Sequence, residues 1–166
     1  MIILIDAYNV IHALPSFEKS LDKSLRAARD YLIAFCRSYQ ASRGDVKKII
    51  LVFDGSSEVS FPSDVRQQGI QLVYTESGED ADERILEIIR SLGQEGRVTV
   101  VSNDNYVWNN ARALGAKAIS AGEFFKGALP KKKSPGKQPA SGPMEKIPSN
   151  AADRITAEYK RILGIH

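Results

Sequence analysis

The sequence predicts an α/β protein: a three-layer α/β/α sandwich with a mainly parallel five-stranded sheet, followed by a basic linker and a C-terminal helix. Short apolar, β-prone runs alternate with longer segments whose apolar residues recur every three or four positions. This is the pattern of parallel strands joined by helical crossovers. The composition, 43% hydrophobic and 26% charged over 166 residues, suits one globular domain.

The first strand and the first helix have the clearest patterns. Residues 1–5 form a continuous apolar run, typical of a fully buried strand, which we expect to open into a polar loop at Asp6. From residue 20 to about residue 42, apolar side chains recur at spacings of three and four, and Gly44 ends the pattern. This spacing predicts one long amphipathic helix.

The second and third strands flank a stretch without a period. Residues 46–53 have the pattern of a second buried strand, which ends at Asp54 and Gly55. Residues 56–69 show no clear period, and we expect them to be irregular. Residues 70–74 predict a short third strand.

The second half of the chain continues the alternation. The patterns predict a helix over 80–92, a strand over 97–101, a helix from 102 to the glycine at 115, a strand over 116–120 and a helix over 121–129. We therefore expect one domain over residues 1–129.

The remainder has a different composition. Residues 130–149 consist mainly of Lys, Pro, Gly and Ser and have almost no apolar content, which predicts a linker. Residues 150–166 predict a final helix whose apolar face needs a partner, and we expect it to dock on the body.

Charge divides the chain in the same way. Residues 1–125 carry 17 acidic and 14 basic side chains, whereas residues 126–166 carry nine basic and three acidic ones. This asymmetry suggests an acidic site on the body and a basic arm that holds a polyanion, although basic tails also serve as solvated spacers.

Several classes of protein are excluded by composition. With Cys36 as the single cysteine and only two histidines, one chain cannot assemble a zinc cluster, a redox CxxC pair or a Cys/His nucleophile. The N-terminal apolar run ends at Asp6, so we expect no signal peptide, no membrane partner and a cytoplasmic location.

Acidic residues follow four of the predicted strands. They are Asp6 after the first, Asp54 after the second, Glu79, Asp80, Asp82 and Glu83 after the third, and Asp104 after the fourth. The carboxyl ends of parallel strands share one edge of a sheet, so these side chains should converge. Each acid alone also fits a turn or helix cap, and their joint placement is what favours a site.

Clustered carboxylates predict a hard divalent cation, Mg²⁺ or Mn²⁺. Such a cation can position a water, lower its pKa and neutralise charge on a phosphodiester. Hydrolysis of nucleic acid follows from this chemistry. No Walker-type loop is present in the sequence, which argues against a P-loop nucleotidase.

Four motifs at these strand ends carry a family resemblance. They are Asp6-Ala7-Tyr8-Asn9, Val52-Phe53-Asp54-Gly55, Asp80-Ala81-Asp82-Glu83-Arg84-Ile85 and Val101-Ser102-Asn103-Asp104. Together they resemble the NYN branch of the PIN-like nucleases, most closely its YacP-like group, over residues 1–129. The resemblance implies a PIN-like fold with sheet order 3-2-1-4-5. It also implies a metal-dependent endoribonuclease that leaves 5′-phosphate and 3′-hydroxyl ends, and some bacterial members resemble ribosome-associated enzymes that cut messenger RNA.

The resemblance also implies roles for individual residues. The four metal-binding and catalytic positions are matched by Asp6, Asp54, Asp82 and Asp104, with Asn9 as a neighbouring polar residue and Glu79, Asp80 and Glu83 as supports. The chain departs from the family at Asp80, where a small or hydroxyl residue is common. It departs again at Asn103-Asp104, where Ser102 is followed by Asn rather than Asp. These departures leave open whether one or two ions bind.

Other residues are candidates for holding single-stranded RNA through rings and phosphate contacts. The candidates are Tyr8, Asn9, Arg84, Lys131, Lys132, Lys133 and Lys137, together with the rings of Tyr106 and Trp108. For Trp108 core packing is the competing explanation, and the role of Tyr106 stays undecided. For Arg84 a solvated salt bridge is the competing explanation. For the lysines it is a solvated spacer.

Two rival functions stay open at this level. A non-catalytic RNA- or ribosome-binding module would keep the fold while its metal site is too weak to cut. An Asp-based phosphotransfer domain fits less well. The dehalogenase pattern needs an acid where Tyr8 stands, and a receiver domain needs an acidic pair where Ala7 follows Asp6.

Overall fold

In a computed structural model, the described part of the chain forms a six-stranded sheet with helices on both faces. The structure describes residues 1–55, 64–67, 69–93 and 96–128. The strands are β1 (Ile2–Asp6), β2 (Lys48–Phe53), β3 (Asp64–Gln67), β4 (Ile70–Tyr74), β5 (Val98–Val101) and β6 (Lys117–Ile119). The helices are α1 (Ala7–Ala13), α2 (Glu18–Leu21), α3 (Leu25–Ala41), α4 (Ala81–Leu92), α5 (Asn105–Ala113) and α6 (Ala121–Ala128).

The strand order is β3-β4-β2-β1-β5-β6, and every neighbouring pair is parallel except β3 with β4. Numbered as the five predicted strands, the parallel part has the order 3-2-1-4-5, so the predicted fold class and strand order are confirmed. Strand β1 is central. Its last residue, Asp6, pairs with Val52 of β2, and Ile5 pairs with Val101 of β5, so the carboxyl ends of these strands lie at one edge.

Apolar packing on both faces of β1 holds this edge in place. Ile2 and Leu4 lie in a core cluster with Ile85 and Leu86 of α4. Successive side chains of a strand point to opposite faces, so Ile3 and Ile5 belong to the second core, on the side of α1 and α3. All five residues of β1 are buried, as the continuous apolar run predicts.

Two predictions near the N-terminus, one of a loop and one of a helix, are wrong in detail. The predicted loop after the first strand is helix α1, because Ala7, Val10 and Ile11 recur at helical spacing and are fully buried. The predicted single helix over 20–42 is two helices, since the Ser24 side chain accepts a hydrogen bond from the Ala27 N–H at 3.0 Å and starts α3 one residue later.

The prediction that residues 56–69 are irregular is also wrong in part. Residues 64–67 are strand β3, which pairs antiparallel with β4 at the edge of the sheet. Gly69, with a φ of 84°, provides the left-handed backbone conformation in the connection. Four residues are too few to show a period. Residues 56–63 lie outside the described residues.

The chain divides into two compact units, Met1–Phe124 and Phe125–His166. In the second unit only residues 125–128, the end of α6, are described. The predicted linker over 130–149 and the predicted helix over 150–166 lie outside the described residues. In the described ranges, no helix is both long and apolar enough to cross a membrane.

Candidate active site

An acidic cleft of about 490 Å³ opens at the carboxyl edge of the sheet. It is lined by the four aspartates that the sequence singled out, Asp6, Asp54, Asp82 and Asp104. Asp80, Tyr8, Asn9 and His12 also line it. The fold therefore brings together acids that are up to 98 positions apart in the sequence.

Asp6 is the buried acid of the cleft, with 6% of its surface exposed. Its Oδ2 accepts a hydrogen bond from the Ser102 hydroxyl at 3.1 Å, and the same hydroxyl oxygen accepts one from the Asp104 N–H at 3.0 Å. Burial raises the pKa of Asp6 to about 6, against the opposing hydrogen bonds from Ser102 and the Asn9 backbone. The charges of Asp82 and Asp104 raise it further.

Asp104 and Asp80 cap the two helices that flank the cleft. The Asp104 Oδ1 accepts hydrogen bonds from the N–H groups of Tyr106 and Val107, at 2.8 and 3.1 Å, and so begins α5. The Asp80 Oδ1 accepts one from the Asp82 N–H at 3.0 Å and begins α4. Asp80 and Asp104 therefore each cap a helix and also line the cleft.

Asp82 lies in the first turn of α4 and is partly exposed. Its pKa is raised to about 6, first by partial burial and then by the negative charge of Asp80 and Asp104. Glu83 and Asp54 add smaller effects of the same sign. The carboxylates of the cleft are therefore close enough to repel each other.

Asp54 is held beside the cleft through Thr75 at the end of β4. The Thr75 hydroxyl accepts a hydrogen bond from the Gly55 N–H at 2.8 Å and lies 3.5 Å from the Asp54 Oδ1, to which it donates. Thr75 is buried, and its own N–H donates to the Phe53 carbonyl at 3.0 Å. These bonds fix the turn that carries Asp54.

Gly55→Ala is expected to destabilise the protein. A Cβ at this position would lie 1.6 Å from the Thr75 carbonyl oxygen, which is backbone and cannot move aside. We expect the free energy of unfolding in urea to fall by about 1 to 3 kcal/mol. Gly44→Ala is the matched control, because nothing lies within 4 Å of the Cβ it would add. Equal stability of the two variants would contradict this explanation of Gly55.

Three of the predicted residues are engaged away from the cleft. Glu79 accepts a hydrogen bond from the Glu76 N–H at 3.1 Å. The Arg84 guanidinium lies 3.9 Å from Glu79 and 3.1 Å from Glu87, measured between the charged atoms. Glu83 accepts a hydrogen bond from the Tyr106 hydroxyl. The candidate lysines 131, 132, 133 and 137 lie outside the described residues.

Tyr8 and Asn9 have structural contacts as well as a place in the cleft. The Tyr8 ring meets Phe53 edge-on, with 5.4 Å between the ring centroids. The Asn9 Oδ1 accepts a hydrogen bond from the Asn103 N–H at 2.7 Å, and the Asn103 Oδ1 accepts one from the Ala121 N–H at 2.9 Å. Asn9 therefore joins the ends of β1 and β5.

Ser102 and Thr75 are two buried hydroxyl residues that contact acids of the cleft and to which sequence reasoning gave no role. Ser102 is 1% exposed and links Asp6 to Asp104, and Thr75 holds the turn at Asp54. The one signal in the sequence was their position at strand ends, next to the acids.

The acids lie together in the cleft. Within the described ranges, however, no group of three or more His, Cys, Asp or Glu side chains is arranged to hold a metal ion without movement.

A larger cavity of about 690 Å³ lies at the opposite, amino edge of the sheet. It is lined by apolar residues with Arg43, Asp45, Arg97 and Lys117, and none of the predicted acids reaches it. The acidic cleft is therefore the candidate active site.

The metal-free protein is expected to become more stable as the pH falls from 7 to 5. The pKa of Asp6 is about 6 in the folded state against an ordinary value of 3.8, so the folded state binds a proton that the unfolded chain has lost. This stabilisation, about 3 kcal/mol in full, is present below about pH 4 and is lost as the pH rises through about 6. About 1 kcal/mol of it is gained between pH 7 and 5.

Urea unfolding in EDTA at the two pH values measures this gain. Asp6→Asn should show a smaller gain, because Asp82 is then the acid lining the cleft that keeps a pKa raised to about 6. An equal pH dependence in both proteins would contradict the raised pKa of Asp6.

The chain has a mainly parallel sheet between two layers of helices, with aspartates at the carboxyl ends of its central strands. This fold and this site define a PIN-like domain. The family model of the YacP-like NYN domain matches residues 3–163. The chain belongs to this family, which is part of the PIN-like nuclease superfamily. The resemblance is thus confirmed, and the match extends beyond residue 129, where the quoted motifs end.

Proteins of Bacillus subtilis are among the relatives of this chain. The chain is 30% identical to YacP of Bacillus subtilis (strain 168) over 105 residues, which are 63% of this chain and 61% of that protein. It thus spans about 61% of the length of this curated relative. Two crystal structures of Rae1 (YacP) from Bacillus subtilis are similar at 28% identity. One, of a single-substitution variant, has a TM-score of 0.65 and covers 76% of this chain and 74% of its own. The other has a TM-score of 0.63, with 77% and 73%.

Proposed function

We propose that this protein is a divalent-metal-dependent endoribonuclease that hydrolyses phosphodiester bonds in single-stranded RNA, with messenger RNA on the ribosome as its substrate. One observation carries the proposal: four aspartates that follow four different strands of the sheet line one cleft. Membership of a family of PIN-like nucleases, which are generally dependent on divalent metal ions, supports it. The part of the proposal that concerns the ribosome is based on the family resemblance.

The chemistry of the donors suits Mg²⁺ or Mn²⁺. Carboxylate oxygens are the ligands these ions prefer, and a cation would relieve the repulsion that contributes to the raised pKa values of Asp6 and Asp82. When bound, the ion supplies an activated water and neutralises charge on the phosphate. Whether one or two ions bind stays open.

The acids divide into fixed and adjustable members. Asp6, Asp104 and Asp54 are held by hydrogen bonds, through Ser102, the α5 cap and Thr75. Asp82 is partly exposed in the first turn of α4. Since the cleft has no ready-made metal site in the described ranges, we propose that the Asp82 side chain rotates to meet the ion while the three held aspartates set its position. Asp80 supports them from the rim, with Glu79 and Glu83 further out.

RNA contacts form the second part of the proposal. Tyr8 and Asn9 line the cleft and would contact the nucleotides next to the scissile bond. Arg84 would contact phosphate only by leaving Glu79 or Glu87.

The four lysines at 131, 132, 133 and 137 are expected to add affinity through charge. Replacing all four with Gln should weaken RNA binding and flatten the slope of log K against log salt by up to about 2.8, which is about 0.7 for each of four phosphate contacts. Single-turnover cleavage at saturating RNA should barely change. An unchanged salt slope would show that this segment is a spacer.

A non-catalytic RNA- or ribosome-binding module is the second candidate. The observation that favours it is the absence, within the described residues, of a ready-made metal site. Such a protein would bind RNA equally well with and without divalent ions and would leave it intact.

Cleavage of end-labelled single-stranded RNA in Mg²⁺, in Mn²⁺ and in EDTA distinguishes the two candidates. The endoribonuclease is expected to produce internal cuts with 5′-phosphate and 3′-hydroxyl ends in either metal and none in EDTA. Intact RNA in all three conditions would refute it. Co-sedimentation with ribosomes at low and high salt tests the ribosomal part separately.

A further inference from the structure

We infer that Tyr106, which does not itself line the acidic cleft, forms a stacking subsite for an unpaired nucleic-acid base beside it, next to Asp104 and Glu83. The inference rests on the proposed function for the identity of the ligand, RNA. The sequence offers the Tyr106 ring as one aromatic candidate for RNA contact and does not decide its role.

The position of Tyr106 follows from two hydrogen bonds. Its N–H donates to the Asp104 Oδ1 at 2.8 Å, in the first turn of α5. Its hydroxyl donates to Glu83, which follows Asp82 in the first turn of α4. The side chain therefore reaches from one helix start to the other, beside the two acids that these helices bring to the cleft.

The ring is exposed and held at both ends. Half of the Tyr106 surface, 50%, is open to solvent, and in the part of the chain that the structure describes the only other large exposed hydrophobic residue is Leu114, at 41%. A ring whose rotamer is already restrained loses little entropy when a base stacks on it. Tyr8 is the aromatic residue that lines the cleft, but its side chain is only partly exposed and its ring meets Phe53 edge-on.

The negative charge of the cleft favours a contact that does not depend on phosphate. Five carboxylates, those of Asp6, Asp54, Asp80, Asp82 and Asp104, line it, and they repel the phosphates of an approaching strand. Stacking of a base on an aromatic ring does not depend on backbone charge and tolerates any sequence. A ring beside the acids can thus hold the strand where phosphate contacts are weakest.

The test measures binding in EDTA, where no metal-dependent cleavage consumes the probe. The probe is a short single-stranded oligoribonucleotide that contains 2-aminopurine, whose fluorescence falls when the base stacks. A matched oligomer of abasic residues reports contacts to the backbone alone. The proteins are wild type, Tyr106→Leu, Tyr106→Phe and the control Leu114→Ala, which removes exposed apolar surface beyond the other end of α5.

We expect Tyr106→Leu to weaken binding of the base-bearing oligomer roughly 5- to 150-fold, which corresponds to about 1 to 3 kcal/mol, and to abolish the quenching. Tyr106→Phe should keep the quenching and most of the affinity, because it keeps the ring and loses only the hydroxyl bond to Glu83. Leu114→Ala should behave like wild type. The abasic oligomer should bind all four proteins alike. Because Tyr106 is exposed, equal thermal melts of the variants are expected.

Three results would overturn the subsite: unchanged binding by Tyr106→Leu, an equal loss for the abasic oligomer, or no binding of the base-bearing oligomer by wild type. Failure of the proposed function has a different signature. A protein that binds and quenches the probe in EDTA but cuts no RNA in Mg²⁺ would refute the endoribonuclease and support the subsite.

Discussion

Asp82→Asn is expected to lower the rate of single-turnover RNA cleavage by at least about a hundredfold, because several kcal/mol of charge stabilisation are lost with one ligand of the ion. The amide keeps the shape of the carboxylate, and Asp82 is partly exposed, so the fold should survive. The melting temperature of the metal-free variant should equal or exceed that of wild type, since repulsion with Asp80 and Asp104 is relieved.

Glu87→Gln is the matched control for this experiment. It makes the same change of charge on the same helix, at a side chain that is 55% exposed, pairs with Arg84 and does not line the cleft. We expect it to cut RNA at the wild-type rate. Wild-type cleavage by Asp82→Asn in Mg²⁺ would remove Asp82 from the proposed site.

Mg²⁺ or Mn²⁺ is expected to raise the melting temperature of the wild-type protein by roughly 5 to 11 °C when present at about 100 times its Kd. A ligand that binds only the folded state at this concentration stabilises it by about 2.7 kcal/mol. In a domain of this size each kcal/mol corresponds to about 2 to 4 °C. The physical reason is that the acids of the cleft repel each other until a cation binds.

Melts in EDTA, in each divalent ion and in a monovalent salt of matched ionic strength measure this shift. In the Asp6→Asn/Asp104→Asn double variant the shift should disappear. Equal melting of wild type in all four conditions, or a metal shift that persists in the double variant, would contradict an assembled site.

The central part of the sheet was predictable because β1, β2 and β5 are buried nearly throughout. Such strands are continuous apolar runs, like residues 1–5, and can be read without knowledge of their neighbours. The short elements were not predictable. Helix α1 has seven residues, of which three are buried, and β3 has four residues whose pairing depends on β4 and the turn at Gly69.

The acids of the site were predictable because each follows a strand, and strand ends share an edge. The contacts that orient them were not. Ser102 reaches Asp6 across 96 positions of sequence, and only the folded sheet brings the two together. Helical geometry explains why the Glu83 side chain does not line the cleft. Successive residues of a helix point about 100° apart, so Glu83 points to Tyr106 while its neighbour Asp82 lines the cleft.

Titration with Mn²⁺ tests most directly whether these acids hold the ion that supports cleavage. The bound ion is measured from the loss of the free Mn²⁺ signal in electron paramagnetic resonance, and the cleavage rate of labelled single-stranded RNA is measured on the same samples. We predict that the rate rises in proportion to bound Mn²⁺, and that both are lost in the Asp6→Asn/Asp104→Asn variant. Cleavage by wild type in EDTA, or unchanged Mn²⁺ binding by the variant, would contradict the proposal that the acids of the cleft hold the ion that supports cleavage.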